Sequence, residues 1–423
     1  LLINLNKFNV VDSIMGSGKT MWAFDYMYKE KNQKFIYVTP YLDEIDRLLY
    51  LKDDDGVPVV SDDGYDIGTK WYYNRGFREP KHLGEGKLNN LHRLLDEGRN
   101  IATTHALLKM CTDETLELIQ EGGYNLILDE ALDIVDIIDN LKIKDYEMMI
   151  NSNNIRVNEN KLISWIDPTY DGEFIEFRRK CENGTMVEIK KSNRLQLLVW
   201  NFNFKSLNVF KKIYILTYLF DASFIRYYFD IHNISYRKWC IEDRVLIDYG
   251  QKKPYGKDDL KRLINIYDGK LNNIGDRRTA LSVNWYRNYS KKRVLIRNNI
   301  NNYFKNIIGV KSGDALWTTF KSSQKALSYK GYKSSFAPCN TRATNEYRDK
   351  IALAYCVNRF LSPDYEKYFM RHDIVLDQDM FALSEMIQWI WRSAIRDGKP
   401  INIYIPSKRM RTLLIDWLNN ENI

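Results

Sequence analysis

The sequence predicts an α/β protein made of two parallel-sheet domains in tandem, with a β-rich insertion in the first. Three observations carry this expectation. A β-branched run, Asn9-Val10-Val11-Asp12, leads into a glycine-rich turn and then into a helical stretch. A second apolar run, Asn125-Leu126-Ile127-Leu128, ends in Asp129-Glu130 about 110 residues further on, which leaves room for intervening βα units. The chain has 423 residues, enough for two or three domains at roughly 150 residues each.

The first element to justify is the turn itself, Ser13-Ile14-Met15-Gly16-Ser17-Gly18-Lys19-Thr20, with Met21 to Met27 continuing as a helix. Strand, glycine-rich turn and helix is the context that a phosphate-binding loop requires. Gly16 and Gly18 let the backbone curl so that successive N–H groups point at phosphate oxygens, and the helix N-terminus adds its dipole. Lys19 is placed to reach the β- and γ-phosphates, and the Thr20 hydroxyl to hold Mg²⁺. The usual pattern asks for glycine where this sequence has Ser13. The second element is the strand ending in Asp129-Glu130. A buried parallel strand presents such acids at its C-terminal edge, Asp129 for Mg²⁺ through water and Glu130 to polarise an attacking water.

These residues together resemble a superfamily 2 helicase, in which a small residue commonly stands where Ser13 does. Lys34–Thr39 followed by Pro40 is similar to the strand and loop that contact the nucleic-acid backbone there. Asn100–Thr104, ending in Thr103-Thr104, is similar to the next such loop. Asp129-Glu130-Ala131-Leu132 takes the form of a DEAx box, and Tyr214–Ser223 falls where the motif coupling hydrolysis to substrate is expected. In the second half, Ala315–Phe320, which includes Thr319, resembles the strand that opens the second domain's core. Phe336–Tyr347, carrying Asn340, Arg342 and Thr344, takes the place of motif V as strand, polar loop and helix start. Ala382–Arg396 resembles motif VI, a glutamine-and-arginine helix. There Gln388 and Arg392 keep the family spacing of four, while Arg396 lies four residues beyond Arg392 instead of three. The second half resembles bacteriophage replication helicases and, more remotely, the herpesvirus origin-binding helicase.

The resemblance implies two tandem RecA-like P-loop domains with ATP and Mg²⁺ in the cleft between them. Gly16, Ser17, Gly18, Lys19, Thr20 and Asp129 would bind the nucleotide and metal. Lys19, Glu130, Gln388, Arg392 and Arg396 would serve catalysis, with Arg392 stabilising charge on the transferred phosphoryl. Thr39, Pro40, Thr103, Thr104, Thr319, Asn340, Arg342 and Thr344 would grip a nucleic-acid backbone. Taken alone, the threonines could be simple strand-end or capping residues, and Gln388, Arg392 and Arg396 a solvated helical stripe.

The first domain is expected over residues 1–243 and the second over 244–423. The insertion spans about 140–205. Alternating runs flank Glu182-Asn183-Gly184, which signals a β-hairpin over 173–191. It carries Arg178, Arg179, Lys180, Lys190 and Lys191, and reads equally as a strand-separating pin or as a solvated decoration. The second domain opens with a basic helical region, Lys257 to Ile308, where Arg277-Arg278 and Lys291-Lys292-Arg293 lie beside Trp285, Tyr286 and Tyr289. Such a mixture suits single-strand contacts, and a charged helix face gives the same letters.

Composition sets the outer limits. With 44% hydrophobic and 28% charged residues, the chain falls outside the disordered class. No apolar run approaches about 18 residues, so no membrane span is expected. The first residues lack a basic region and a small-residue cleavage site, so no secretory signal is expected. Five widely spaced cysteines without Cys-x-x-Cys argue against a disulfide framework or structural zinc and point to a reducing cytoplasm, that of a bacterial host if the chain is of phage origin. The net charge of +8 permits a nucleic-acid partner. The function expected is an ATP-dependent helicase of phage DNA replication, repair or recombination, coupling hydrolysis to translocation and strand separation. Its partners would be single-stranded or forked DNA first, RNA second, and replication proteins. The rival is a nucleic-acid-dependent ATPase that translocates or remodels without separating strands.

Overall fold

The β-branched and aromatic runs become strands where parallel pairing buries them on both faces. A computed structural model of the chain describes residues 7–49, 75–84, 86–191, 194–203, 205–251, 257–340 and 346–420. Five strands come first: Phe8–Asp12 (β1), Lys34–Thr39 (β2), Phe77–Arg78 (β3), Asn100–Thr104 (β4) and Tyr124–Asp129 (β5). An inserted group follows, Val135–Ile137 (β6), Ile155–Val157 (β7), Leu162–Trp165 (β8), Gly184–Lys191 (β9) and Arg194–Phe202 (β10). The chain then returns through Ile213–Thr217 (β11), Arg237–Glu242 (β12) and Val245–Asp248 (β13).

The main sheet runs β13-β12-β1-β11-β5-β2-β4-β3 and is parallel except at the β12–β13 hairpin. Every residue of β1, β5 and β11 is buried. The register sets Asp12 beside Thr217, Leu216 beside Asp129, and Thr39 beside Thr104. The polar residues that end these strands therefore collect along one carboxyl edge, where open α/β sheets place their ligands. The Asp243-Arg244 turn has both residues at positive φ, 47° and 63°, as a two-residue hairpin of this kind needs.

The inserted strands form a separate antiparallel sheet, β6-β10-β9-β8-β7, so the β-rich insertion is present. The hairpin expected over 173–191 is not. Ile175–Asn183 is a helix, and the antiparallel partner of β9 is β10. The run that looked alternating also satisfies a helix: Phe177 is buried, Arg179 pairs with Glu176 at 2.7 Å, and Arg178 pairs with Glu182 at 3.3 Å. Gly184 is extended, not turned, and a Cβ there would overlap the Trp200 indole and the Asn201 carbonyl.

The chain divides into two compact units, Leu1–Tyr249 with Pro363–Val375, and Gly250–Ser362 with Leu376–Ile423. The first unit thus extends past residue 243 to take in β13. It also includes a short later piece, in which Tyr365 and Phe369 stack on Phe224 at 4.6 and 5.8 Å. The second unit is built on four parallel strands, Ile264–Ile266 (β14), Ala315–Thr318 (β15), Ala352–Tyr355 (β16) and Ile401–Tyr404 (β17), in the order β14-β17-β16-β15. Phe336, expected to open a strand, makes only an isolated bridge to Trp317. Trp285, Tyr286, Ile296, Ile300, Tyr303, Phe304, Leu327 and Tyr332 pack as one cluster on the face of this sheet formed by Ala315, Trp317, Ala352, Ala354 and Tyr404.

Among the described residues, no helix is long and apolar enough to cross a membrane. All five cysteines are free thiols.

Candidate functional site

The turn after β1 is held in shape by backbone that only glycine adopts easily. Gly16 and Gly18 have φ of +81° and +89°, and the helix Lys19–Lys29 starts directly after them. Ser13 occupies the position where the common pattern has glycine, and its own contacts explain it. Its Oγ accepts a hydrogen bond from the Ile241 N–H at 2.8 Å, and its N–H donates to the Thr217 carbonyl at 3.0 Å. The loop is thereby tied to both strands flanking β1. The Ser17 hydroxyl is buried and has no hydrogen-bond partner among the described residues.

Lys19 Nζ donates to the Ser13 and Ile14 carbonyls at 2.5 and 3.0 Å. Burial lowers its pKa, opposed by the nearby charges of Glu130, Asp129 and Asp12. One helical position on, the Thr20 hydroxyl donates to Asp129 Oδ2 at 3.0 Å. The same carboxylate oxygen accepts a second bond, 2.6 Å, from the Tyr37 hydroxyl on the neighbouring β2. Burial raises the Asp129 pKa, while the Tyr37 and Thr20 bonds and the charges of Lys19 and Arg47 pull it back. Burial, together with the Asp129 charge, pushes the Tyr37 phenol well above its ordinary value.

Glu130 follows at φ +74°, a backbone region that non-glycine residues rarely occupy, with its N–H bonded to the Leu216 carbonyl at 3.0 Å. The strand's last two acids are thereby separated, Asp129 held inside and Glu130 turned off the sheet. Asp12 adds a third carboxylate at this edge. It is buried, accepts from the Phe220 N–H at 3.1 Å, and faces Lys238 Nζ at 3.5 Å. Burial raises its pKa, chiefly opposed by Lys238.

The structure thus brings together Gly16, Ser17, Gly18, Lys19, Thr20, Asp129 and Glu130. It also adds three residues that the sequence reading missed. Tyr37 had one available signal: a tyrosine inside a fully buried strand needs a partner for its hydroxyl. Asp12 ends the strand before the loop. Arg244 carried no signal, since only the β12–β13 turn brings its Cγ to 3.9 Å from where a Gly18 Cβ would stand. Arg244 is exposed and makes no ion pair or hydrogen bond among the described residues.

The donor set fits magnesium. One carboxylate and one hydroxyl oxygen beside a glycine-rich turn match a cation that takes few protein ligands and completes its shell with water and phosphate. Among the described residues, no group of three or more His, Cys, Asp or Glu is placed to hold a metal.

The residues expected to touch nucleic acid divide. Thr39, Thr103 and Thr319 are buried, 4% exposed or less. Thr39 and Thr103 lie at the ends of the paired strands β2 and β4, and Thr319 follows β15 inside the second unit. Pro40, Thr104 and Asn340 are accessible. Arg342 and Thr344 lie outside the described residues.

In the second unit, Gln388 lies on the helix Gln378–Ile390 and donates to Ser384 Oγ at 3.3 Å. That helix ends before Arg392, so Gln388, Arg392 and Arg396 do not share one helical face as their spacing suggested. The chain tightens there because the Ser393 hydroxyl and N–H both bond to the Ile390 carbonyl, at 2.7 and 3.1 Å. Arg392 is 8% exposed, whereas Arg396 is exposed on the short 3₁₀ turn Ala394–Asp397.

Comparison with known proteins shows what the chain is similar to. Residues 258–418 match a family model described as the YonV C-terminal Rossmann-like domain. The chain is also 41% identical over 435 residues to the SPbeta prophage-derived uncharacterized protein YonV of Bacillus subtilis (strain 168), covering 99% of this chain and 100% of that one.

Proposed function

This chain belongs to the YonV family, and we propose that it is an ATP-driven nucleic-acid helicase with two RecA-like halves. The observation that supports this reading is the convergence of Lys19, Thr20 and Asp129 at the carboxyl edge of a parallel sheet, the Thr20 hydroxyl 3.0 Å from the Asp129 carboxylate. In the proposed cycle, Lys19 exchanges its two carbonyl partners for phosphate oxygens as the nucleotide enters. The loop N–H groups and the Ser17 hydroxyl bind the remaining oxygens. Mg²⁺, when bound, neutralises charge on the β- and γ-phosphates, and Thr20 and Asp129 are the residues that would hold it. Glu130 orients and polarises the attacking water. Hydrolysis drives stepping along a backbone gripped at Pro40, Thr104 and Asn340, contacts that do not depend on sequence.

Purified protein is expected to hydrolyse ATP faster when single-stranded DNA is added, with Lys19→Ala reducing the rate about 10²-fold or more. Hydrolysis indifferent to every nucleic acid would remove this reading. Displacement of a labelled strand from tailed duplexes then separates a helicase from a motor that only translocates.

A further inference from the structure

Charge is divided very unevenly between the two units. The first holds 34 Lys and Arg against 42 Asp and Glu, and the second 29 against 13, so the net +8 is the sum of an acidic unit and a strongly basic one. Most of the excess sits in one stretch. From Arg277 to Lys333 there are 13 basic residues and a single acid, Asp314.

The fold gathers this stretch into one layer. The helices Val283–Asn288, Ser290–Asn302 and Lys321–Leu327, with the π-helical turn Tyr303–Ile308, all contribute side chains to the cluster packed on one face of the second sheet. Their opposite side faces solvent. Ten of the 13 basic residues are exposed, five of them (Arg287, Lys291, Lys305, Lys321 and Lys325) on these helical elements and the rest in the adjoining turns, and none of the 13 makes an ion pair among the described residues. The contrast with the rest of the chain is what decides the matter. An ordinary solvated helix intersperses acids with its bases, as Lys257–Leu263 does through Arg262–Asp259 and Lys261–Asp258 at 3.4 Å. Concentrating unpaired like charge costs self-repulsion, which a bound polyanion relieves. Tyr289 and Tyr329 are exposed within the layer, 41% and 39%, and Lys292 lies 4.6 Å from the Tyr289 ring centroid. Exposed rings beside cations offer stacking faces to bases.

We propose that the outer side of this helical layer is a nucleic-acid-binding surface, separate from the motif loops, that holds the sugar-phosphate backbone by charge. It deepens the proposed function by locating a partner's seat, yet it rests on charge placement and needs no nucleotide. The test is therefore run without nucleotide. The full chain carrying Lys291→Gln, Lys305→Gln, Lys325→Gln and Lys330→Gln is compared with wild type for binding a labelled single-stranded 20-mer over a salt series. A control removes the same charge from the first unit, through Lys29→Gln, Lys81→Gln, Lys142→Gln and Lys144→Gln. We expect the second-unit variant to lose at least about tenfold in affinity and to flatten the slope of log K against log salt by about 3, with the control near wild type. Equal loss in both variants, or an unchanged slope, overturns the proposal. So does capture by phosphatidylserine vesicles with no binding to the oligonucleotide. If the fourfold variant melts early, the pair Lys305→Gln and Lys325→Gln is read by the same slope. Absence of ATP hydrolysis would count against the motor and leave this surface standing.

Discussion

At the residue scale, Asp129 carries opposed demands. It is held inside the protein by Tyr37 and Thr20, yet burial disfavours its charge. A carboxylate whose folded pKa is raised gives the fold more stability below its unfolded value, near 4, and loses that advantage as pH rises through the folded value. Asp129→Asn, which keeps an acceptor for both hydroxyls, is therefore expected to melt several degrees above wild type at neutral pH in metal-free buffer. The two melting curves should converge on acidification, and the variant should hydrolyse no ATP. A variant that melts lower than wild type at neutral pH would contradict this. Tyr37→Phe tests the other side of the contact. Its hydroxyl bond favours the charged carboxylate, so its loss should move the acid limb of the hydrolysis profile to higher pH and destabilise the fold by about 1–3 kcal/mol.

At the element scale, Gly184 begins β9 in extended backbone pressed against Trp200. Gly184→Ala should cost about 1–3 kcal/mol through overpacking, seen in chemical denaturation, although alanine suits the backbone angles. The same glycine explains why part of the fold was hidden in the sequence. Asn-Gly usually marks a turn, but this glycine is required by a ring that lies 16 residues away in sequence and next to it in space. Strands buried on both faces, such as β1, β2, β5 and β11, were legible because their β-branched runs have no competing periodicity. β14 was not, being three residues inside a charged stretch, and β16 is half alanine. In the site, residues contiguous with the loop or the acid pair were legible. Tyr37, Asp12 and Arg244 depend on sheet order and on a hairpin turn, which no local spacing encodes. Gln388 and Arg392 looked like one helical face because the stop at Ile390 is made by a serine, not by glycine or proline.

At the scale of the whole molecule, the first unit is completed by residues far along the chain. Tyr365 and Phe369 stack on Phe224, and the Tyr368 hydroxyl donates to Asn201 of the inserted sheet at 2.7 Å. A fragment ending at Tyr249 should consequently melt below the full chain, and a peptide of residues 363–375 added in trans should raise its melting temperature. No rise would mean that these contacts contribute little. The same arrangement has a consequence for inheritance. The stretch 363–375 is encoded within the part of the gene that specifies the second unit, and the matched region 258–418 carries it in its midst. No single recombination breakpoint can then exchange one unit and leave the other intact. A gene acquiring a foreign second half would also acquire a foreign helix for its own Phe224. In genomes that trade segments freely, such interleaving favours transmission of the gene in one piece, and kinship with the Bacillus subtilis prophage protein runs over 99% of this chain.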